Sequence, residues 1–162
     1  LLEDLAQAKP GHYTHEVTIH EGKGHWMDLQ DAVALPWMAK FQRNPIPKQV
    51  IWKQSSAPVN LFYWLSVPFD QIKSGGEIEA EYDQQNNSIN ILSNYSSRLN
   101  LHLNDDMLDL DQAVIVQYQG QAIFEGKVER SILNIYNSTL HKADYDLSFP
   151  AVLKVIDNSR IE

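Results

Sequence analysis

From Gln49 to the C-terminus the chain is a series of short apolar-rich runs, and their two-residue period constrains the fold more than any other feature. The runs cover 49–54, 61–67, 77–82, 88–92, 99–103, 113–118, 122–128 and 147–156. Successive side chains of a strand point to opposite faces, so alternation marks a strand with one face in a core and one in water. Glu77-Ile78-Glu79-Ala80-Glu81-Tyr82 shows it: acids on one face, Ile78, Ala80 and Tyr82 on the other. Gly75-Gly76, Asn86-Asn87 and Gln119-Gly120 fall between runs, the last as a tight hairpin. One helix interrupts: Ile132, Ile135, Tyr136, Thr139 and Leu140 recur at helical spacing behind Ser131. The pattern predicts a mainly β fold over 46–162, an antiparallel, immunoglobulin-like β-sandwich with a crossover helix at 131–143.

Upstream the pattern changes. Asn44-Pro45-Ile46-Pro47 places two prolines two residues apart, which forbids helix and favours an extended connector, so the chain divides into 1–45 and 46–162. Leu1, Leu5 and Ala8 repeat at helical spacing up to Pro10-Gly11, and the β-branched stretch 14–20 follows as a strand. After a loop with Gly22 and Gly24, a helix is expected at 31–35 and a second at 37–43, with Pro36 in its first turn.

Composition excludes several classes. With 13 basic against 21 acidic residues the net charge is −8, which repels phosphate backbones, and no nucleic-acid partner is expected. No apolar run approaches the roughly 18 residues of a spanning helix, so membrane insertion is not expected either. The absence of cysteine removes disulfide scaffolds, thiolate zinc sites and cysteine nucleophiles.

Three clusters carry enough chemistry to weigh. His12, His15, His20 and His25 could ligate zinc or nickel, but His15 and His20 differ by an odd number in a strand and face opposite sides; no metal or cofactor is expected. Asp105, Asp106, Asp109 and Asp111 could hold calcium, yet the glycine and terminal glutamate of an EF-hand loop are missing, and a turn between strands is the simpler reading. Trp52, Phe62, Tyr63 and Trp64 could stack on sugars; in one strand Phe62 and Trp64 would share a face, and core packing is the favoured reading. None of the twelve serines sits in a G-x-S-x-G elbow, and neither a phosphate loop nor an H-E-x-x-H helix is present.

The stretch from His20-Glu21-Gly22-Lys23-Gly24-His25-Trp26-Met27 through Ala34-Leu35-Pro36-Trp37-Met38 to Arg43-Asn44-Pro45 resembles the end of an α/β-hydrolase, in a group of bacterial esterases or peptidases related to dienelactone hydrolases and polyhydroxybutyrate depolymerases. In that group a β-rich domain follows the hydrolase; Leu61-Phe62-Tyr63-Trp64-Leu65, Asp109-Leu110-Asp111 and Phe124-Glu125-Gly126-Lys127-Val128 look like its signatures. The resemblance implies that 1–45 is a helix-strand-helix remnant of the hydrolase and 46–162 its accessory sandwich. It implies that His25 is the triad histidine, with the serine and acid upstream of Leu1 in chain order. On that reading the chain by itself is inactive, its first partner is the upstream hydrolase domain of the same polypeptide, and the parent is exported. A homo-oligomer through 1–45 is a further expectation, because exposed strand edges recruit partners. The competing reading is a non-catalytic sandwich that binds carbohydrate or a protein partner.

Overall fold

A computed structural model describes residues 1–8, 10, 14–57 and 59–162, with 141 and 142 as backbone only. The chain forms two compact units, Leu1–Arg43 and Asn44–Glu162, within two residues of the proline-marked boundary.

The second unit is built from two five-stranded sheets. One has the order β1 (Gln49–Lys53), β4 (Glu77–Asp83), β5 (Ser88–Asn94), β7 (Val114–Tyr118), β8 (Gln121–Gly126). The other runs β10 (Arg160–Ile161), β9 (Ala151–Ile156), β6 (Arg98–Leu103), β3 (Leu65–Ser66), β2 (Leu61–Phe62). Alternation does what the sequence predicts: Val50 and Trp52, Ile78 and Ala80, Ile89 and Ile91, Val114 and Val116 are buried from the first sheet, and Leu99, Leu101, Leu103, Ala151, Leu153 and Val155 from the second. They form one apolar cluster with Trp64, Met107, Leu108, Leu110 and Phe149. Connector residue Ile46 is buried in it, and Trp64 Nε1 donates to Pro47 O at 2.9 Å.

The turns are chemically specific. Gln119 and Gly120 take φ of 50° and 80°, joining β7 to β8 as the primed hairpin turn that matches strand twist. Between β4 and β5, Asp83 accepts from Gln85 N and Asn86 Nδ2. Asn87, at φ 48°, donates to Asp109 O and Ala113 O and accepts from Asp109 N, tying the 104–113 segment to the hairpin.

Three expectations change in this unit. The sandwich is not wholly antiparallel: β5 and β7 pair in parallel, because the connection between them crosses to the second sheet, lays down β6 and returns. The run 61–67 is not one strand but a hairpin, β2 and β3 about a turn at Tyr63 with φ 52°, closed by Val67 N donating to Asn60 O at 2.9 Å. Positive φ is uncommon for an aromatic residue, so nothing in the sequence marks this turn. The short β10 was not anticipated.

Helix α3 (Ile132–Lys142) lies where the stripe predicts, capped by Ser131 Oγ accepting from Leu133 N and closed by Ala143 at φ 49°. Its orientation is inverted relative to an ordinary amphipathic helix. Ile132, Leu133, Ile135, Tyr136 and Leu140 are exposed and Ser138 is buried.

The first unit holds α1 (Leu2–Ala8), a 3-10 helix (Met27–Val33) and α2 (Ala34–Met38), with no buried residue in any of them. Residues 14–20 belong to no sheet ladder among the described residues, where the sequence predicts a strand. A strand needs a neighbour for its backbone groups, and the described residues of this unit supply none. The helix expected at 31–35 is instead 3-10 up to Val33, and the one expected at 37–43 ends at Met38; helices this short are marginal without packing. Beyond it Lys40 N and Phe41 N bond back to Trp37 O and Met38 O, and the Phe41 ring lies 4.8 Å from Trp37. Among the described residues no helix is long and apolar enough to cross a membrane.

Candidate functional site

In the first unit the histidine loop is built by backbone turns. Lys23 N donates to His20 O and Met27 N to Gly24 O, with Gly22 at φ 70°, a conformation that disfavours any residue with a Cβ. Lys23 Nζ holds Asp28 Oδ2 at 2.7 Å across the loop. These turns present His25 to solvent, its ring 5.2 Å from Trp26 in an edge-to-face contact. Trp26 itself is 82% exposed.

Among the described residues of the sequence cluster, His15, His20 and His25 are not brought to one site. His15 Nε2 lies 3.3 Å from Glu3 Oε2. His20 lines a separate hollow of about 270 Å³ with Glu16, Thr18, Asp31 and Trp37, and His25 is not part of it. His12 lies outside the described residues. Among the described residues no group of three His, Asp or Glu side chains is placed to hold a metal ion.

Of the clustered aspartates, Asp105 and Asp106 lie in a turn, as the sequence reading has it, and Asp105 and Asp111 share a cation. Arg130 donates from Nη2 to Asp105 Oδ1 at 2.5 Å, from Nε to Asp105 Oδ2 at 3.2 Å and from Nη1 to Asp111 Oδ1 at 2.6 Å. These hydrogen bonds hold the Asp105 carboxyl below the usual carboxylate range and push the guanidinium further up. The arrangement clamps both ends of the 104–113 segment.

Of the four aromatic candidates, Trp52 and Trp64 are buried and Tyr63 is half-buried. Phe62, at the rim, stacks on Trp52 at 5.9 Å and meets Tyr63 edge-on. The four rings therefore do not form a coplanar exposed row.

A site that sequence reasoning missed lies on the outer face of the second sheet. Ser66 of β3 pairs with Asn100 of β6, which places His102, two residues on, diagonally opposite on the same face. Ser66 Oγ and His102 Nε2 are 2.7 Å apart, and Asn100 Nδ2 donates to Ser66 Oγ at 3.1 Å. The pair floors a cavity of about 330 Å³ roofed by α3. The helix is held by polar bonds: Asn134 Nδ2 donates to Pro150 O, and Ser138 Oγ accepts from Phe149 N at 2.9 Å. Alternation marks Asn100 and His102 as outward-facing, but the signal ends there, because the pairing of β3 with β6 depends on the hidden turn at Tyr63.

A hydrogen-bonded serine and histidine suggest nucleophilic chemistry, yet Ser66 is only 7% exposed and its hydroxyl is already engaged by Asn100 and His102. No aspartate or glutamate lines the cavity among the described residues. The arrangement orders polar groups; it does not present a nucleophile. Comparison of the chain with protein-family models, with curated proteins and with solved structures finds no match to any of the three.

Proposed function

We propose that the first unit is the closing segment of an α/β-type serine hydrolase, that His25 is its general base, and that the sandwich is an accessory domain of the same polypeptide. The observation that carries this reading is residues 14–20: a β-branched segment that joins no ladder among the described residues and leads through a glycine turn to a solvent-presented imidazole. Val17 and Ile19 on this segment, and Trp26, Leu29, Val33, Leu35, Met38 and Phe41 after it, are all exposed, as the rim of a larger core would be before that core is added. The outward stripe of α3, continued by Tyr145, supports an accessory role, since a helix that turns Ile132, Ile135, Tyr136 and Leu140 to water has a face suited to another domain.

In the reaction proposed, His25 takes the proton of a serine hydroxyl as that oxygen attacks an ester or amide carbonyl, then returns it to the leaving group. The serine, its oxyanion donors and the orienting acid belong to the hydrolase body. The chain of 162 residues alone therefore hydrolyses no ester above background and takes no fluorophosphonate label. The test is His25→Ala in a full-length protein that carries the hydrolase body, with turnover falling by about 10⁴ to 10⁶, the range for loss of a triad member. His20→Ala, which changes the hollow beside the loop, costs far less. Near-normal turnover of His25→Ala overturns the assignment, and so does fluorophosphonate labelling of the isolated chain at Ser66 or any other serine.

A further inference from the structure

We propose that the cavity between α3 and the outer face of the second sheet is a binding site for a neutral, polyhydroxylated ligand of the saccharide class. The first argument is the inverted helix. A surface helix normally buries its apolar stripe, and α3 instead turns Asn134, Asn137 and Ser138 toward the sheet while Ile135, Tyr136 and Leu140 face water. A helix so oriented does not extend the core; it roofs an open cavity in which polar side chains stand beside Leu61, Phe69 and Val152. That volume, about 330 Å³, is at the lower end of the size range of small-ligand sites.

The second argument is the chemistry of the walls. Above a floor where Ser66 Oγ and His102 Nε2 bond to each other, the carboxamides of Asn60, Asn134 and Asn137 each combine donor and acceptor capacity. No Lys, Arg, Asp or Glu lines the cavity among the described residues, so a carboxylate or phosphate meets no fixed cation and an ammonium meets no fixed anion. Hydroxyl groups, which donate and accept at once, match this set. The Ser66–His102–Asn100 hydrogen bonds fix the floor, and Asn134 is anchored through Nδ2 to Pro150 O with its Oδ1 left to accept. The side chains of Asn60 and Asn137 make no hydrogen bond within the described protein, which leaves two complete carboxamides for adjacent ligand hydroxyls. Phe69, 69% exposed, stands among these groups as an apolar plane of the kind on which the C–H face of a pyranose stacks. This pocket is distinct from the aromatic run at 62–64, and it stands independently of the role proposed for His25.

The test is titration of the uniformly ¹⁵N-labelled 162-residue chain with maltose, cellobiose, xylobiose and N-acetylglucosamine, with glucuronate and a capped Ala-Ala dipeptide as controls. At least one neutral saccharide is expected to shift amides in 60–69, 100–102 and 134–138 with a dissociation constant on the millimolar scale. Phe69→Ala and Asn137→Ala, both at exposed positions and so compatible with the fold, each weaken that response about tenfold. The proposal is overturned if no neutral saccharide shifts these amides at about 50 mM, well above that scale. It is equally overturned if glucuronate or the dipeptide binds as well, or if the two variants respond like the parent chain.

Discussion

The two units contain the same kinds of apolar residue and treat them oppositely. In the sandwich Trp64, Ile78, Ile91 and Leu101 are fully buried, whereas in the first unit Trp26, Leu29, Val33 and Leu35 are each more than 60% exposed. Tryptophan is no less apolar at 26 than at 64. The difference lies in what surrounds it: alternating runs from two sheets offer each other complementary faces, and a segment without a ladder beside short helices offers none. Apolar patterning becomes a core only where the opposing surface is in the same folded unit.

The largest effect expected from this contrast comes from truncating a tryptophan in each unit. Trp64→Ala removes a fully buried ring and its Nε1 bond to Pro47 O, and is expected to cost about 3–5 kcal/mol in urea unfolding. Trp26→Ala is expected to stay within about 0.5 kcal/mol, as an exposed substitution does. A comparable loss for Trp26→Ala would show that the first unit already has a covered core, through self-association for instance, and concentration-dependent sedimentation would identify that case.

How far each unit was legible follows the same division. Strands were readable where both period and turn chemistry were local: Glu77–Asp83 by its alternating acids, and the β7–β8 hairpin by Gln119-Gly120. They were misread where a turn carried no turn residue, as at Tyr63, and where direction depended on a distant crossover, as for the parallel pair of β5 with β7. The stripe of α3 was readable and its orientation was not, since a helical period states that one face is apolar without stating which way that face points. The cavity at Ser66 and His102 stayed hidden for the same reason, being assembled from β3, β6 and α3, with Ser66 and His102 36 residues apart in the chain. In the first unit the loop residues around His25 could be picked out by type, but no strand partner existed to turn 14–20 into a strand.

A second, intermediate effect uses glycine. An ideal Cβ at Gly76 would lie 2.7 Å from Cδ1 and 2.8 Å from Cε1 of Tyr95, atoms in the middle of a half-buried ring, whereas one at Gly24 meets nothing within 4 Å. Gly76→Ala is therefore expected to cost about 1–3 kcal/mol through overpacking, and Gly24→Ala to be near neutral. Combining Gly76→Ala with Tyr95→Ser should recover part of that cost as a favourable coupling between the two positions. Simple additivity would place the strain in the backbone and not against the ring.

The smallest effect concerns the Arg130 clamp. The side chains of Arg130, Asp105 and Asp111 are all more than a third exposed, so solvent and salt screen the clamp, and its contribution to stability at neutral pH is modest. Its sign is nevertheless fixed. Hydrogen bonds from Arg130 lower the Asp105 pKa in the folded state, so the folded protein holds the Asp105 proton less tightly than the unfolded chain does. The resulting stabilisation is complete above the ordinary carboxylate value of about 3.9 and disappears as pH falls through the lowered folded value. Arg130→Met should therefore melt slightly below the parent chain at pH 7, the two curves converging in that acid window and also at high salt. NMR titration of the Asp105 carboxyl should show its midpoint moving up toward the ordinary range in Arg130→Met. An unmoved midpoint would mean that the turn backbone, and not the guanidinium, holds the carboxylate ionised.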